Sequence, residues 1–212
     1  MDEQLKSGTT TVGMVCKDGV ILAADKRATA GNLIVTKHIE KIYEINEDLA
    51  ITMAGTVSDA QLLAKLIKAE LKLKEIRTGR KATVKEAANL LGGMVYANIR
   101  KMSLIPGVSH FVLGGRDENG TEVWDLFADG SVTKVDDYIS SGSGSVMAYG
   151  VLETLYKKDI TIEEGVKLVV KSINAALQRD SASGGGIDVI AITPKDGIKR
   201  VLKKELDVKL EI

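Results

Sequence analysis

Helical periodicity occurs in this sequence as two pairs of segments, and the chain between the pairs is a series of short runs rich in strand-forming residues. Apolar residues recur at helical spacing over residues 58–78 and 83–102, and again over residues 145–157 and 161–179. Helices that arrive in pairs differ from the single helices that alternate with strands in doubly wound folds and TIM barrels. This order therefore favours folds in which helix pairs cover antiparallel sheets.

The segments between the helix pairs predict antiparallel strands joined by tight turns. Asp18-Gly19, Asn119-Gly120 and Asp129-Gly130 are dipeptides typical of two-residue hairpin turns, which connect antiparallel strands. The strands are predicted over residues 10–16, 20–25, 41–45, 49–54, 110–115, 121–127, 131–135, 187–193 and 198–202, and residues 27–40 are predicted to be irregular. We therefore expect one α+β domain, a four-layer α-β-β-α sandwich of two stacked antiparallel sheets flanked by helix pairs.

Local signals predict where the helices begin and end. Ser58 is expected to cap the first helix, and Gly79 is expected to end it. Thr83-Val84-Lys85-Glu86 and Thr161-Ile162-Glu163-Glu164 have the spacing of capping boxes at the start of two further helices.

Composition excludes several classes of protein. The 29 Lys and Arg residues balance 29 Asp and Glu residues, so the chain has no excess positive charge with which to bind nucleic acid or an anionic membrane surface. Met1–Gly8 contains acidic residues and no hydrophobic segment, unlike a secretory signal. Cys16 is the single cysteine, which fits a reducing cytoplasm. Neither His38 nor His110 has a neighbour at metal-ligand spacing, so we expect no metal and no cofactor.

A run of three threonines after Gly8 carries the first chemical signal. Threonine is a good strand former, so Thr9-Thr10-Thr11 also fits a strand with no catalytic role. Gly8 has no side chain to hinder attack on its carbonyl, and cleavage of the Gly8–Thr9 bond by Thr9 would leave a free α-amine beside the Thr9 hydroxyl. An α-amine has a pKa of ~7.7–8.0, so a useful neutral fraction can deprotonate that hydroxyl. The threonine run alone leaves both interpretations open.

Several motifs, taken in order, resemble those of one family. They are Gly8-Thr9-Thr10-Thr11-Val12-Gly13, Ala24-Asp25-Lys26-Arg27-Ala28-Thr29, Lys41-Ile42-Tyr43, Ala54-Gly55-Thr56-Val57-Ser58-Asp59-Ala60-Gln61, Gly142-Ser143-Gly144-Ser145 with Ala148-Tyr149-Gly150, and Arg179-Asp180-Ser181-Ala182-Ser183-Gly184. Over nearly its whole length the chain resembles the β-type subunits of the archaeal 20S proteasome, which are N-terminal-nucleophile hydrolases. Each motif is weak alone, and the specificity lies in their joint order and spacing.

The resemblance implies a catalytic set centred on Thr9. Thr9 would be the nucleophile and, through its freed amine, the proton acceptor. Lys41 would lower the pKa of the Thr9 hydroxyl, Asp25 would hold Lys41 by a salt bridge, and the backbone N–H of Gly55 would form the oxyanion hole. The residues implied to order the Thr9 amine and a nearby water are Ser143, Asp180 and Ser183.

The resemblance also implies a substrate site and a division of the chain. Thr29 and Val57 would pair with a peptide substrate through backbone groups. The residues implied to line the pocket for the residue before the cut are Ala28, Ile39, Met53 and Val57. Residues 1–8 would be an autocleaved propeptide and residues 9–212 a single catalytic domain.

The implied activity is that of a threonine endopeptidase, made as a zymogen, that self-processes at Gly8-Thr9 and degrades unfolded proteins to short peptides. The implied partners are α-type proteasome subunits, other β subunits in two stacked seven-membered rings, and an ATPase unfoldase ring bound through the α ring. A non-catalytic structural β subunit and a subunit of a bacterial two-ring threonine protease are the alternatives. The presence of Gly8, Thr9 and Lys41 disfavours the first, and the motifs around Ser143 and Ser183 disfavour the second.

Two positions depart from the family pattern. Glu40 stands before Lys41, where a second basic residue is common, and would compete with Asp25 for Lys41 if it pointed the same way. The run Gly184-Gly185-Gly186 is more flexible than the usual sequence there and is expected to loosen the loop that carries Asp180.

Overall fold

The computed structural model describes residues 8–206, which form two five-stranded sheets, a two-stranded hairpin and four helices. In chain order the strands are β1 (Thr11–Cys16), β2 (Gly19–Asp25), β3 (Ala28–Ala30), β4 (Leu33–Thr36), β5 (Ile42–Glu44), β6 (Leu49–Gly55), β7 (Ser109–Asp117), β8 (Gly120–Leu126), β9 (Val132–Val135), β10 (Tyr138–Ser141), β11 (Gly186–Thr193) and β12 (Gly197–Glu205). The helices are α1 (Val57–Thr78), α2 (Val84–Ile99), α3 (Ser145–Leu155) and α4 (Ile162–Arg179). Neighbouring strands pair antiparallel throughout these sheets, as predicted.

Three apolar layers hold the two large sheets and the helix pairs together. The first sheet has the strand order β10-β1-β2-β11-β12, and the second has the order β5-β6-β7-β8-β9. Leu22 and Val112 belong to the layer between the sheets. Met14 belongs to the layer between the first sheet and α3 and α4, and Ile51 belongs to the layer between the second sheet and α1 and α2. This arrangement confirms the predicted four-layer α-β-β-α sandwich.

Alternation along β1 packs one strand against both a helix pair and the second sheet. Val12 and Met14 are fully buried on the side of α3 and α4. Gly13 faces the second sheet, and a Cβ at this position would lie 2.6 Å from Cγ1 of Val112. The missing side chain therefore allows the two sheets to approach closely just after Thr9.

The helix ends agree with most of the predicted signals. Thr83 and Thr161 both form complete capping boxes, and Gly79 ends α1 in the left-handed conformation with a φ of 71°. The prediction for Ser58 is wrong: the N-cap of α1 is Thr56, whose side chain makes no capping bond. Ser58 instead lies in the first turn and donates a hydrogen bond to Asp59. The predicted helix over 83–102 ends earlier, at Ile99.

Three strands were not predicted from the sequence: β3, β4 and β10. Residues 27–40 contain the hairpin β3–β4, although they were expected to be irregular. All four residues of β4 are exposed, so its side chains show no alternation between polar and apolar types. Strand β10 was also missed, because the two residues that connect it to β9 have no hairpin-turn signal and the strand pairs with the distant strand β1.

Candidate active site

The hydroxyl of Thr9 lies within hydrogen-bond distance of the Gly8 carbonyl and the Lys41 ammonium group. Thr9 Oγ1 donates to Gly8 O at 2.7 Å and accepts from Lys41 Nζ at 3.0 Å. The N–H of Gly8 donates to Thr29 Oγ1 at 3.1 Å, which holds the residue before Thr9 in place. Of the predicted propeptide, Met1–Ser7 lies outside the described residues.

Lys41 and Asp25 form a buried ion pair. Lys41 precedes β5, Asp25 is the last residue of β2, and their Nζ and Oδ1 atoms are 2.7 Å apart. The side chain of Lys41 is 4% exposed and that of Asp25 is 0% exposed. A buried charge needs both a counter-ion and hydrogen bonds. The structure thus brings Thr9, Lys41 and Asp25 together in one chain of contacts.

Backbone N–H groups complete the surroundings of Asp25. Thr10 N donates to Oδ1 at 2.9 Å, while Arg27 N and Gly184 N donate to Oδ2 at 3.0 and 2.9 Å. These donors were not predicted, because every residue except proline has a backbone N–H and the residue type carries no signal. Together with Lys41 they satisfy both oxygens of a carboxylate that is cut off from solvent.

Burial governs the protonation of Lys41. Desolvation lowers the pKa of the Lys41 ammonium group below its ordinary value, and the attraction and hydrogen bond of Asp25 oppose this shift without cancelling it. The Lys41 ammonium group therefore gives up its proton more readily than the ammonium group of an exposed lysine.

Ser143 contacts the Thr9 nitrogen, and Asp180 and Ser183 are linked to it through Ser143. Thr9 N donates to Ser143 Oγ at 3.2 Å. Both Ser143 Oγ and Ser183 Oγ donate to Oδ2 of Asp180, at 2.7 and 2.6 Å. A carboxylate linked to the Thr9 nitrogen through one hydroxyl can stabilise positive charge on that nitrogen.

An apolar pocket lies beside Thr9 and Lys41. The four predicted pocket residues line it together with Gly55, Ala54 and Ala60; the four are Ala28, Ile39, Met53 and Val57. Gly55 has a φ of 107°, and a Cβ there would lie 2.2 Å from the Val108 carbonyl oxygen, so the position requires glycine. Ala54 and Ala60 were missed, because a small apolar residue gives no signal of its own.

The described part of the chain has neither a metal-ligand cluster nor a membrane-spanning helix. Among residues 8–206, no group of three or more His, Cys, Asp or Glu side chains is arranged to hold a metal ion. None of the helices in this range has the length and apolar character needed to cross a membrane.

Comparison with known proteins assigns the chain to a family. A family model described as "Proteasome subunit" matches residues 5–192. The chain belongs to the proteasome subunit family. Its relatives include "Proteasome subunit beta" of Archaeoglobus profundus, which is 45% identical over 207 residues covering 98% of this chain and 94% of the relative. The protein of the same description from Ferroglobus placidus is 43% identical and covers 99% and 97%, and that from Methanohalophilus mahii is 44% identical and covers 99% and 97%. The predicted resemblance to archaeal proteasome β subunits is thereby confirmed.

Glu40 does not compete for Lys41 in this member of the proteasome subunit family. Its Oε1 accepts a hydrogen bond from Lys203 Nζ at 2.8 Å and lies 3.9 Å from Nη1 of Arg200. The hydrogen bond and charge of Lys203 lower the pKa of Glu40. Adjacent residues of an extended chain point in opposite directions, so Glu40 turns to β12 while Lys41 turns to Thr9.

The glycine run 184–186 is constrained by its surroundings. A Cβ on Gly184 would lie 2.2 Å from Cζ of Arg27, and a Cβ on Gly185, whose φ is 72°, would lie 1.7 Å from the Lys37 carbonyl oxygen. The run packs tightly and supplies an N–H to Asp25. This packing argues against the expectation that these glycines loosen the Asp180 loop.

Proposed function

We propose that this chain is a catalytic β subunit of a proteasome core particle and acts as a threonine endopeptidase. The observation that carries the proposal is that Lys41 Nζ lies 3.0 Å from Thr9 Oγ1 while Asp25 binds the same ammonium group at 2.7 Å. This arrangement holds a positive charge where negative charge develops on the threonine oxygen during attack. Water is excluded from the pair, so the interaction is stronger than it would be at the surface.

The same contacts support self-cleavage of the Gly8–Thr9 bond. Thr9 Oγ1 attacks the carbonyl carbon of Gly8, and the hydroxyl proton passes by way of Lys41 or water to the departing Thr9 nitrogen. The C–N bond breaks and Gly8 becomes an ester on Thr9. One water then hydrolyses the ester, which releases residues 1–8 with a new carboxylate and leaves a free Thr9 α-amine.

The freed amine supplies the base for peptide hydrolysis. It takes the proton of the Thr9 hydroxyl as Oγ1 attacks a substrate carbonyl, and it returns that proton to the leaving amine. Ser143, Asp180 and Ser183 hold the amine, and the N–H of Gly55 binds the oxyanion, a contact worth roughly 2.7–4 kcal/mol. Water completes the cycle by hydrolysing the acyl ester.

The pocket beside Thr9 supports cleavage after hydrophobic residues. Its lining includes Met53, Ile39 and Val57, and no charged side chain other than Lys41 is among its lining residues in the described chain. Thr29 and Val57 pair with the substrate backbone in this proposal. A panel of fluorogenic peptides tests the preference, and faster cleavage after acidic or basic residues would contradict it.

The archaeal β-subunit relatives support assembly into the core particle in place of a bacterial two-ring protease. The proposed partners are α-type subunits and other β subunits in two stacked seven-membered rings. An ATPase unfoldase ring joins through the α ring and delivers unfolded protein in the cytoplasm. A purely structural role is disfavoured by the contact between Lys41 and Thr9.

Intact mass after assembly with α subunits tests both cleavage and activity. We expect the β subunit in active particles to have lost Met1–Gly8, and we expect Thr9→Ala to retain these residues and to have no peptidase activity. Active particles that contain only full-length chain would refute the mechanism. Peptidase activity in Thr9→Ala would assign the chemistry to another residue.

A further inference from the structure

We propose that the hydroxyl of Thr10 is a positioning group for the Thr9 amine, acting through Ser183 and Asp180. The proposal rests on the threonine peptidase function proposed above. Thr10 lies next to the nucleophile, is fully buried, and places Oγ1 at 2.7 Å from Ser183 Oγ. The contact extends the group of hydroxyls around Asp180 by one member.

The number of available protons sets the direction of each hydrogen bond. An ionised carboxylate only accepts, and each hydroxyl has one proton to donate. Ser183 donates its proton to Asp180 Oδ2 at 2.6 Å, so the proton between Thr10 and Ser183 comes from Thr10. Ser143 likewise donates to Asp180, so it accepts from the Thr9 nitrogen.

Two branches therefore converge on one carboxylate oxygen. One branch runs from the Thr9 nitrogen through Ser143 to Asp180 Oδ2, and the other runs from Thr10 through Ser183 to the same atom. Ser143 is exposed, whereas Ser183 and Thr10 are both 0% exposed. The buried branch is shielded from water, and in this proposal it holds the oxygen that the exposed branch uses.

The Thr10 hydroxyl has little freedom to turn away. A Cβ on Gly144 would lie 2.0 Å from Thr10 Oγ1, so the backbone of Gly144 closes over the hydroxyl. The backbone N–H of Thr10 also donates to Asp25 at 2.9 Å. The backbone of Thr10 thus contacts Asp25, the carboxylate paired with Lys41. Its side chain contacts Ser183, which belongs to the group around Asp180.

Loss of the Thr10 hydroxyl would leave Ser183 without its donor. Hydrogen bonds in a chain strengthen one another, so the bond from Ser183 to Asp180 would weaken as well. Asp180 would then hold Ser143 and the Thr9 amine less firmly. Because the amine acts in the chemical step, the defect is expected in kcat and not in KM.

The adjacent threonine provides a matched control. Thr11 is also fully buried, and its Oγ1 has no hydrogen-bond partner within residues 8–206. Thr10→Val and Thr11→Val remove the same hydroxyl from neighbouring positions and keep the side-chain volume. Only the first removes a hydrogen bond of the Asp180 group.

The experiment compares Thr10→Val, Thr10→Ser and Thr11→Val in particles assembled with α subunits. The measured kcat is divided by the fraction of β subunits that have been cleaved before Thr9, which intact mass gives. We expect kcat of Thr10→Val to fall about tenfold, a change of one factor of ten in the rate of the chemical step, with KM within about twofold. Thr10→Ser, which restores the hydroxyl, is expected to recover most of kcat, and Thr11→Val to match the wild type.

Several results would overturn the inference. They are an equal effect of Thr10→Val and Thr11→Val, a Thr10→Ser variant as slow as Thr10→Val, and a change confined to KM. If Thr10→Val fails to assemble, Thr10→Ala removes the same hydroxyl with less bulk and is compared with Thr11→Ala. Activity in Thr9→Ala would overturn the proposed function itself, whereas an inactive Thr9→Ala beside a fully active Thr10→Val would reject the role of Thr10 alone.

Discussion

Two buried aspartates on neighbouring strands of the first sheet differ in their hydrogen bonding. Asp25, at the end of β2, accepts from Lys41 and from three backbone N–H groups. Asp188, on β11 and opposite Ala24 of β2, accepts no hydrogen bond within residues 8–206. Its nearest ionic contact is Arg200, whose Nε lies 3.5 Å from Oδ1. Burial of a carboxylate therefore does not by itself bring hydrogen-bond donors to it in this fold, and four donors converge on Asp25 alone of these two.

The negative charge of the carboxylate has a different energetic consequence at Asp188 and at Asp25. Desolvation raises the pKa of Asp188, and the attraction of Arg200, Lys26 and Lys203 does not offset it. Ionised Asp188 therefore lowers the stability of the folded chain. The donors around Asp25 instead stabilise a charge that Lys41 requires, which is expected where a site is organised for chemistry.

The largest effect is expected from Asp25→Asn. All four groups around Asp25 are donors, so the amide NH2 would face at least one N–H and would leave Lys41 without its counter-ion. Breaking a buried pair costs about 3–5 kcal/mol, which corresponds to a loss of activity of roughly 10²- to 5 × 10³-fold if it appears in the chemical step. Self-processing by intact mass and peptidase assays measure the loss. Near-normal processing would show that Lys41 does not depend on Asp25.

The matched variant Asp188→Asn is expected to behave in the opposite way. It removes a buried charge that has no hydrogen bond, and an unsatisfied buried group costs at least about 1–3 kcal/mol. We expect the free energy of unfolding to stay the same or to rise by about 1 kcal/mol, with processing unchanged. Urea denaturation in a Thr9→Ala background, which prevents self-cleavage, measures the difference. A loss as large as that of Asp25→Asn would remove the distinction between the two aspartates.

The pH dependence of stability sharpens the same comparison. Because the pKa of Asp188 is higher in the folded than in the unfolded chain, folding favours its protonated form. Protonated Asp188 therefore contributes its full stabilisation at pH values below its pKa in the unfolded chain. This stabilisation is lost as the pH rises through its pKa in the folded chain. The advantage of Asp188→Asn over the wild type should therefore be greatest near neutral pH and should vanish at acidic pH. Denaturation curves at several pH values measure this trend, and an advantage that grows on acidification would reverse the assigned sign.

The sequence predicted the sandwich because its signals are local. Paired helical periodicities, the capping box at Thr83 and the Asp-Gly turns depend on residues close together in the chain. Strand β10 was missed because it pairs with a distant strand, and the hairpin β3–β4 was missed because β3 has only three residues and all of β4 is exposed. The helix start at Thr56 was missed because its cap uses no side-chain hydrogen bond.

The site was predictable to the extent that it uses side chains in recognisable motifs. Thr9, Lys41 and Asp25 were identified by resemblance, and the structure brings them into contact. The N–H groups of Arg27 and Gly184 were invisible in the sequence, because a backbone donor has no residue signature. Nothing in the residue types distinguished Asp188 from Asp25, since both follow apolar residues in predicted strands.

The smallest effect is expected from substitution of Glu40. The sequence did not determine which way the side chain of Glu40 points. Glu40 is half exposed and paired with Lys203, and exposed pairs contribute about 0–1 kcal/mol. Glu40→Gln should lower the free energy of unfolding by no more than that, and added salt should shrink the difference. The kcat for peptide hydrolysis should stay unchanged, and Lys203→Gln, which breaks the same pair from the other side, should behave alike. If Glu40 instead drew Lys41 away from Asp25, Glu40→Gln would raise kcat while Lys203→Gln lowered it, so the two variants together decide between these arrangements.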